Sequence, residues 1–166
     1  MNALDREVAE LIRGERWAAL ATLRVTPMGG RLPRASMVAY APAPDGRIVL
    51  FLSGLADHMR GLLASASASL AMSRPDRGEA DPHLLARVSL HGEASPVARG
   101  SDAFGALGAH YIARFPDALT RFELGDFVLF TFTPKEVRYV NGFAKAVTLA
   151  WADVVAALGS GTSAQA

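Results

Sequence analysis

The chain contains no cysteine. That absence removes disulfides, thiolate nucleophiles and cysteine-ligated zinc or iron–sulfur centres together, and leaves histidine and carboxylate as the only ligands a metal would find. A surplus of either charge is also missing, since 17 Lys and Arg stand against 16 Asp and Glu for a net charge of +1. With no global field to draw in DNA or an acidic membrane, nucleic acid and membrane are not expected as partners. No apolar run approaches the ~18 residues needed to cross a bilayer. The opening "MNALDREVAELIRG" lacks the basic-then-apolar layout of a secretory leader, so a cytoplasmic protein is expected. There is no G-x-S-x-G elbow, no P-loop, no H-E-x-x-H and no strand–G-x-G-x-x-G–helix unit. The four histidines, His58, His83, His91 and His110, are scattered, none of them three or four residues from another, and no metal site is expected from their spacing.

What is present is a 166-residue chain, 51% apolar, long enough for one real core. A single domain over residues 1–158 is expected, followed by "GSGTSAQA", 159–166, as a disordered tail. Leu4, Val8, Leu11 and Ile12 fall on one face of a first helix stopped by Gly14. Strands are read in "WAALATLRV", "RASMVAYA", "RIVLFLS", "ASLAMS", "RVSLHGEASPV", "DFVLFTFTP" and "EVRYV", with the Asp-Gly of "PAPDG" joining the second and third as a hairpin. "RPDRGEADPHLLA" is a polar loop, a helix follows Ser101, and "WADVVAAL" is a last helix. About six strands with helices before, between and after them predict a mainly β, α+β architecture closing into a barrel.

The segment "LFLSGLADHMRGLLASASASL", 50–70, interrupts a core strand with Ser53, His58 and Arg60. Ser53 ends the strand, Gly54 turns the chain, and a short helix over 56–63 points its first N–H groups outward, which outlines an anion site. Arg34 and Ser36 share a face of the hairpin partner by period-2 alternation. The plainer reading stands beside it: Arg60 as a solvated helix residue, His58 as a surface histidine, Ser53 as a cap.

"PRASMVAYA", the 50–70 segment, "ARVSLHGEA", "YIARFP" and "GDFVLFTFTPKEVRYVNGFAKA" occur in an order that resembles the FMN-binding split-barrel superfamily of pyridoxamine phosphate oxidase, and within it the haem-utilisation, HugZ-like branch. The likeness runs over about residues 7–155. It implies a six-stranded antiparallel split β-barrel, a homodimer, and FMN held between two subunits as a flavin-dependent oxidoreductase acting on a small redox substrate. On that resemblance Arg34, Ala35, Ser36, Met37 and Val38 run beside the flavin, while Ser53, His58, Met59 and Arg60 hold its phosphate. Arg87 reaches the neighbouring subunit's flavin, and Asn141 and Phe143 border the ring. The resemblance equally allows a haem-binding or haem-degrading protein, and a third possibility is a partner-binding barrel without cofactor chemistry. Two departures bear on this choice. "GFAKAVTLAW" lacks the arginine and histidine with which the oxidases bind pyridoxal, and no histidine follows His110, whereas haem-utilising relatives take their iron ligand from a C-terminal segment. Met59 and Gly61 replace a threonine and an asparagine common in the branch.

Overall fold

In the computed structural model, which describes residues 2–142 and 145–160, alternation along β1 (Trp17–Val25) sends Ala18, Leu20 and Thr22 inward and leaves Trp17, Ala19 and Ala21 on the outer face. The same alternation in β4 (Ser67–Ser73) and β5 (Arg87–Pro96) buries Ala68, Leu70, Met72, Val88 and Leu90. These residues, with Val38 and Tyr40 of β2 (Arg31–Pro42) and Phe130, Phe132, Val137 and Tyr139 of β6 (Phe127–Val140), fill one apolar interior. The strand order is β3-β2-β1-β4-β5-β6, and β3 (Ile48–Ser53) pairs again with β6, so six antiparallel strands close on themselves. The six-stranded α+β barrel read from the sequence is therefore present.

Its strands are divided differently from the reading above. "DFVLFTFTP" and "EVRYV" are one continuous 14-residue strand, because Pro134 lies at a register shift opposite Gly92, where a missing N–H is tolerated. A seventh strand, β7 (Ala146–Leu149), was not anticipated; four residues are too short to show a period, and only pairing with Val137 to Val140 of β6 defines it. The last helix, α5 (Trp151–Ser160), runs through the first two residues of the expected tail, and 161–166 lie outside the described residues, as does Phe143.

Helices cover selected faces. α1 (Ala3–Gly14) starts from an Asn2/Asp5 capping box and buries Val8, Leu11 and Ile12. Its end is tied down by Tyr40 Oη donating to Ile12 O at 2.9 Å, and Arg13 donates to the carbonyls of Ala157 and Leu158 in α5, each at 3.0 Å. α3 (Asp102–Arg114), capped by Ser101, and the short α4 (Leu119–Phe122) close over the outer side of β3 and of the first half of β6. There Phe51 stacks on Phe122 with centroids 3.8 Å apart, beside Tyr111 and Phe127. β3 is consequently buried on both faces, which is why it reads as an unbroken apolar run. The helix α2 (Asp57–Ala64) lies against β1. Gly61 makes that approach possible: a Cβ there would stand 2.6 Å from Thr22 Oγ1 and 2.7 Å from Thr22 Cβ.

Two helix glycines should respond oppositely to alanine. Gly61→Ala gains helix propensity but collides with a buried strand residue, for a net loss of about 1–2 kcal/mol by the usual scale of overpacking. Gly105→Ala in α3 meets open space and should gain about 0.5–1 kcal/mol. Urea denaturation of the two variants checks both signs.

Candidate functional site

The helices leave one face bare. Outward residues of five strands stand in a single cross-strand row, Met37, Ala19, Ala71, Ser89 and Arg138, each opposite the next in register. A parallel row two residues along reads Ala35, Ala21, Ser69, His91 and Glu136. Small side chains in the middle of both rows make a flat floor. Trp17, 55% exposed, and Met37, 51% exposed, rise at one side; Arg87 and Arg138 stand at the other. Together with Glu15, Ser73, Pro75 and Val140 they line a cleft of about 570 Å³, within the range that holds cofactors. The Arg87 guanidinium donates to the carbonyls of His83 and Leu85, each at 3.1 Å, and Arg138 donates to Thr148 Oγ1 at 3.2 Å.

A second cleft, about 210 Å³, opens where β2 leaves β3. β2 pairs with β3 only from Tyr40 to Pro42, so Met37, Val38 and Ala39 stand apart from Phe51, Leu52 and Ser53. Ala56 and His58 at the start of α2, Tyr111 and Arg121 complete the lining, and Trp17 and Met37 belong to both clefts, which makes the two contiguous. Ser53 is already engaged, its Oγ donating to Asp126 Oδ2 and accepting from Leu55 N, both at 3.3 Å. Nε2 of His58 is buried with no hydrogen-bond partner. Burial pushes the imidazole below its ordinary value, opposed in part by the Asp57 carboxylate.

The sequence-selected residues thus separate into groups. Met37, Val38, Ser53 and His58 meet in the smaller cleft, and Arg87 lines the larger. Arg34 is drawn to the side, its Nε 2.9 Å from Asp57 Oδ2, while Arg24 Nη1 holds the other oxygen at 3.3 Å. Ala35 and Ser36 lie on β2 outside both linings, Met59 is buried in the barrel core, and Arg60 is exposed and lines neither cleft. Asn141 sits elsewhere: its Nδ2 donates to Glu7 Oε2 at 2.9 Å, in a cavity shared with Tyr139 and Lys145. Tyr139, also donating to Glu7, has its hydroxyl pushed up to about 12 by burial and that carboxylate. Trp17, Arg121 and Arg138 were not selected from sequence. Trp17 and Arg138 carry a signal only in hindsight, as outward positions of strands whose outward neighbours are small.

A family model described as pyridoxamine 5'-phosphate oxidase matches residues 4–141. The chain is 37% identical over 114 residues to the chloroplastic heme oxygenase HOZ of Arabidopsis thaliana, covering 69% of this chain and 33% of that one. It is 27% identical over 153 residues to the heme oxygenase HutZ of Vibrio cholerae, covering 92% and 84% respectively. Among solved structures, a heme binding protein from Mycobacterium smegmatis superposes with a TM-score of 0.80 at 28% identity, over 94% of this chain and 61% of that one. The chain thus spans about a third of the Arabidopsis relative and under two thirds of the mycobacterial structure.

The buried imidazole of His58 sets a pH response. Its folded-state value lies below its ordinary 6.5, so the unfolded chain binds the extra proton first, and stability present above about pH 6.5 is lost as pH falls. His58→Leu, which removes both the proton site and the orphaned nitrogen, should flatten this fall. Urea midpoints at pH 5 and pH 7.5 measure it; equal pH dependence in the two proteins would show that His58 is not its source.

Proposed function

The chain belongs to the pyridoxamine 5'-phosphate oxidase family, and from that premise we propose that it is a haem-binding protein of haem utilisation, with haem seated on the bare outer face of the barrel. The observation that carries this reading is the cleft itself. A floor of Ala19, Ala71 and Ser89 suits a flat apolar macrocycle, Trp17 and Met37 offer aromatic and thioether contact, and Arg87 and Arg138 offer two guanidinium groups for two propionates. The relatives named as heme oxygenases support the same ligand. Haem, when bound, supplies redox-active iron; this chain's residues hold it, orient it and exclude water. Pyridoxamine phosphate oxidation is not part of the reading, because residues 142–150 provide neither arginine nor histidine.

The bare face also supports a homodimer. Exposed Trp17 and Met37 on a sheet face floored by alanine are an apolar surface that a second copy of the chain would cover. The flavin reading is kept second, on one observation: Ser53, His58 and Arg121 gather at the start of α2, whose N-cap, Ala56, has no side-chain bond to offer the first N–H groups. In that reading Arg121 replaces Arg60 as the cation nearest the phosphate.

Titration of the purified protein with haemin, FMN and riboflavin separates the two. Haemin is expected to bind stoichiometrically with a defined Soret band. Arg87→Ala and Arg138→Ala should each weaken it by about 10- to 100-fold, the scale of a lost charge-assisted hydrogen bond of roughly 1.5–3 kcal/mol. FMN bound tightly and riboflavin weakly, with no haemin complex, would replace the haem reading by the flavin one. Sedimentation as a monomer at micromolar concentration would sink the dimer.

A further inference from the structure

Alternation at the end of β6 gives Arg138 and Val140 to the large cleft and leaves Tyr139, with Asn141 just past the strand, to line a different cavity of about 490 Å³. α1 contributes Leu4 and Glu7 to it, and the chain entering β7 contributes Lys145 and Val147. Its volume is in the range that holds small molecules, and it has no lining residue in common with either cleft described above.

The Glu7 carboxylate in this cavity is set in place by two donors on one oxygen. Tyr139 Oη at 3.0 Å and Asn141 Nδ2 at 2.9 Å both reach Oε2. Burial and that carboxylate push the Tyr139 hydroxyl up to about 12, so it remains a donor at ordinary pH and holds Glu7 as the acceptor. Glu7 Oε1 receives no hydrogen bond from the described residues. Lys145 is fixed through its backbone: its carbonyl accepts from Asn141 N at 3.1 Å, closing a turn in which Gly142 has a φ of +85°. The Lys145 ammonium pairs with no carboxylate among the described residues. One cavity therefore carries a negative and a positive group that do not neutralise each other, beside the apolar side chains of Leu4 and Val147.

We propose that this cavity binds a free α-amino acid with an apolar side chain, its ammonium on Glu7 Oε1, its carboxylate on the Lys145 ammonium and its side chain against Leu4 and Val147. A ligand with only one of the two charges leaves Glu7 or Lys145 covered and without a partner, and that cost separates the zwitterion from its singly charged analogues. The assignment is independent of which ligand occupies the large cleft.

Calorimetric titration and heteronuclear NMR of the wild type, Glu7→Gln and Lys145→Met test it, with L-leucine and L-phenylalanine as probes beside leucinamide, which keeps only the ammonium, and isocaproate, which keeps only the carboxylate. At least one of the two amino acids should bind saturably, one per chain and about 10-fold or more tighter than leucinamide and isocaproate, moving the amide signals of Leu4, Tyr139 and Val147. Glu7→Gln, whose amide oxygen still accepts from Tyr139 and Asn141, should erase the advantage over isocaproate. Lys145→Met should erase the advantage over leucinamide; Lys145 is exposed, so this arm stands even where Glu7→Gln fails to fold. A merely structural defect would weaken all the probes alike. Leucinamide or isocaproate binding as tightly as the amino acids, amino-acid affinity unchanged in Lys145→Met, or no saturable binding of either amino acid up to about 10 mM overturns the proposal.

Discussion

Where Gly92 lies against Thr133 and Pro134, no Cβ fits, and the rest of the molecule depends on that backbone contact. It permits the register of β5 and β6 to slip by one residue, so that a single 14-residue strand serves two purposes. Its first half closes the barrel against β3, and its second half turns away to pair with β7. A straight β6 would have continued along one sheet; the bulge bends it and divides the outer surface into two faces.

The two faces then have different fates. Over β3 and the first half of β6, the aromatic cluster of Phe51, Tyr111, Phe122 and Phe127 is sealed by α3 and α4. Over the outward side of β1, β4, β5 and the second half of β6, no helix lies among the described residues, and alanine and serine in the middle positions keep the surface flat. The boundary between them is the point where β2 parts from β3, and there Trp17, Met37, Ser53 and His58 come together. Gly61 matters in the same way, since its missing side chain lets α2 lie against Thr22 and carries Asp57 to Arg24 and Arg34. Those two arginines share one carboxylate and are only partly covered, so their value is orientation of the helix start more than stability.

The core was legible in the chain because burial on one side imposes a period of two: Ala18, Leu20 and Thr22, or Ala68, Leu70 and Met72, can be read off without coordinates. β3 could be read because burial on both sides removes the period altogether. Pro134 misled, since proline normally ends a ladder and the bulge that accommodates it is formed by Gly92, more than forty residues earlier in sequence. The site was legible in part. Ser53 and His58 were marked by being polar inside an apolar run, but Arg60, in the same segment, is exposed and lines neither cleft. Arg121, which does line the smaller cleft, arrives from α4 and carries no local mark.

The sequence by itself determined the class of architecture, the alternation that marks interior residues, and the family, because each of these follows from local periodicity or the order of matching segments. Only the tertiary structure decided which outward residues share a surface. Met37, Ala19, Ala71, Ser89 and Arg138 come from five strands, and nothing between them in the chain records that they stand in one row. That row is set by cross-strand register, a relation between distant segments fixed by closure of the barrel and by the slip at Gly92, and no window of neighbouring residues contains it.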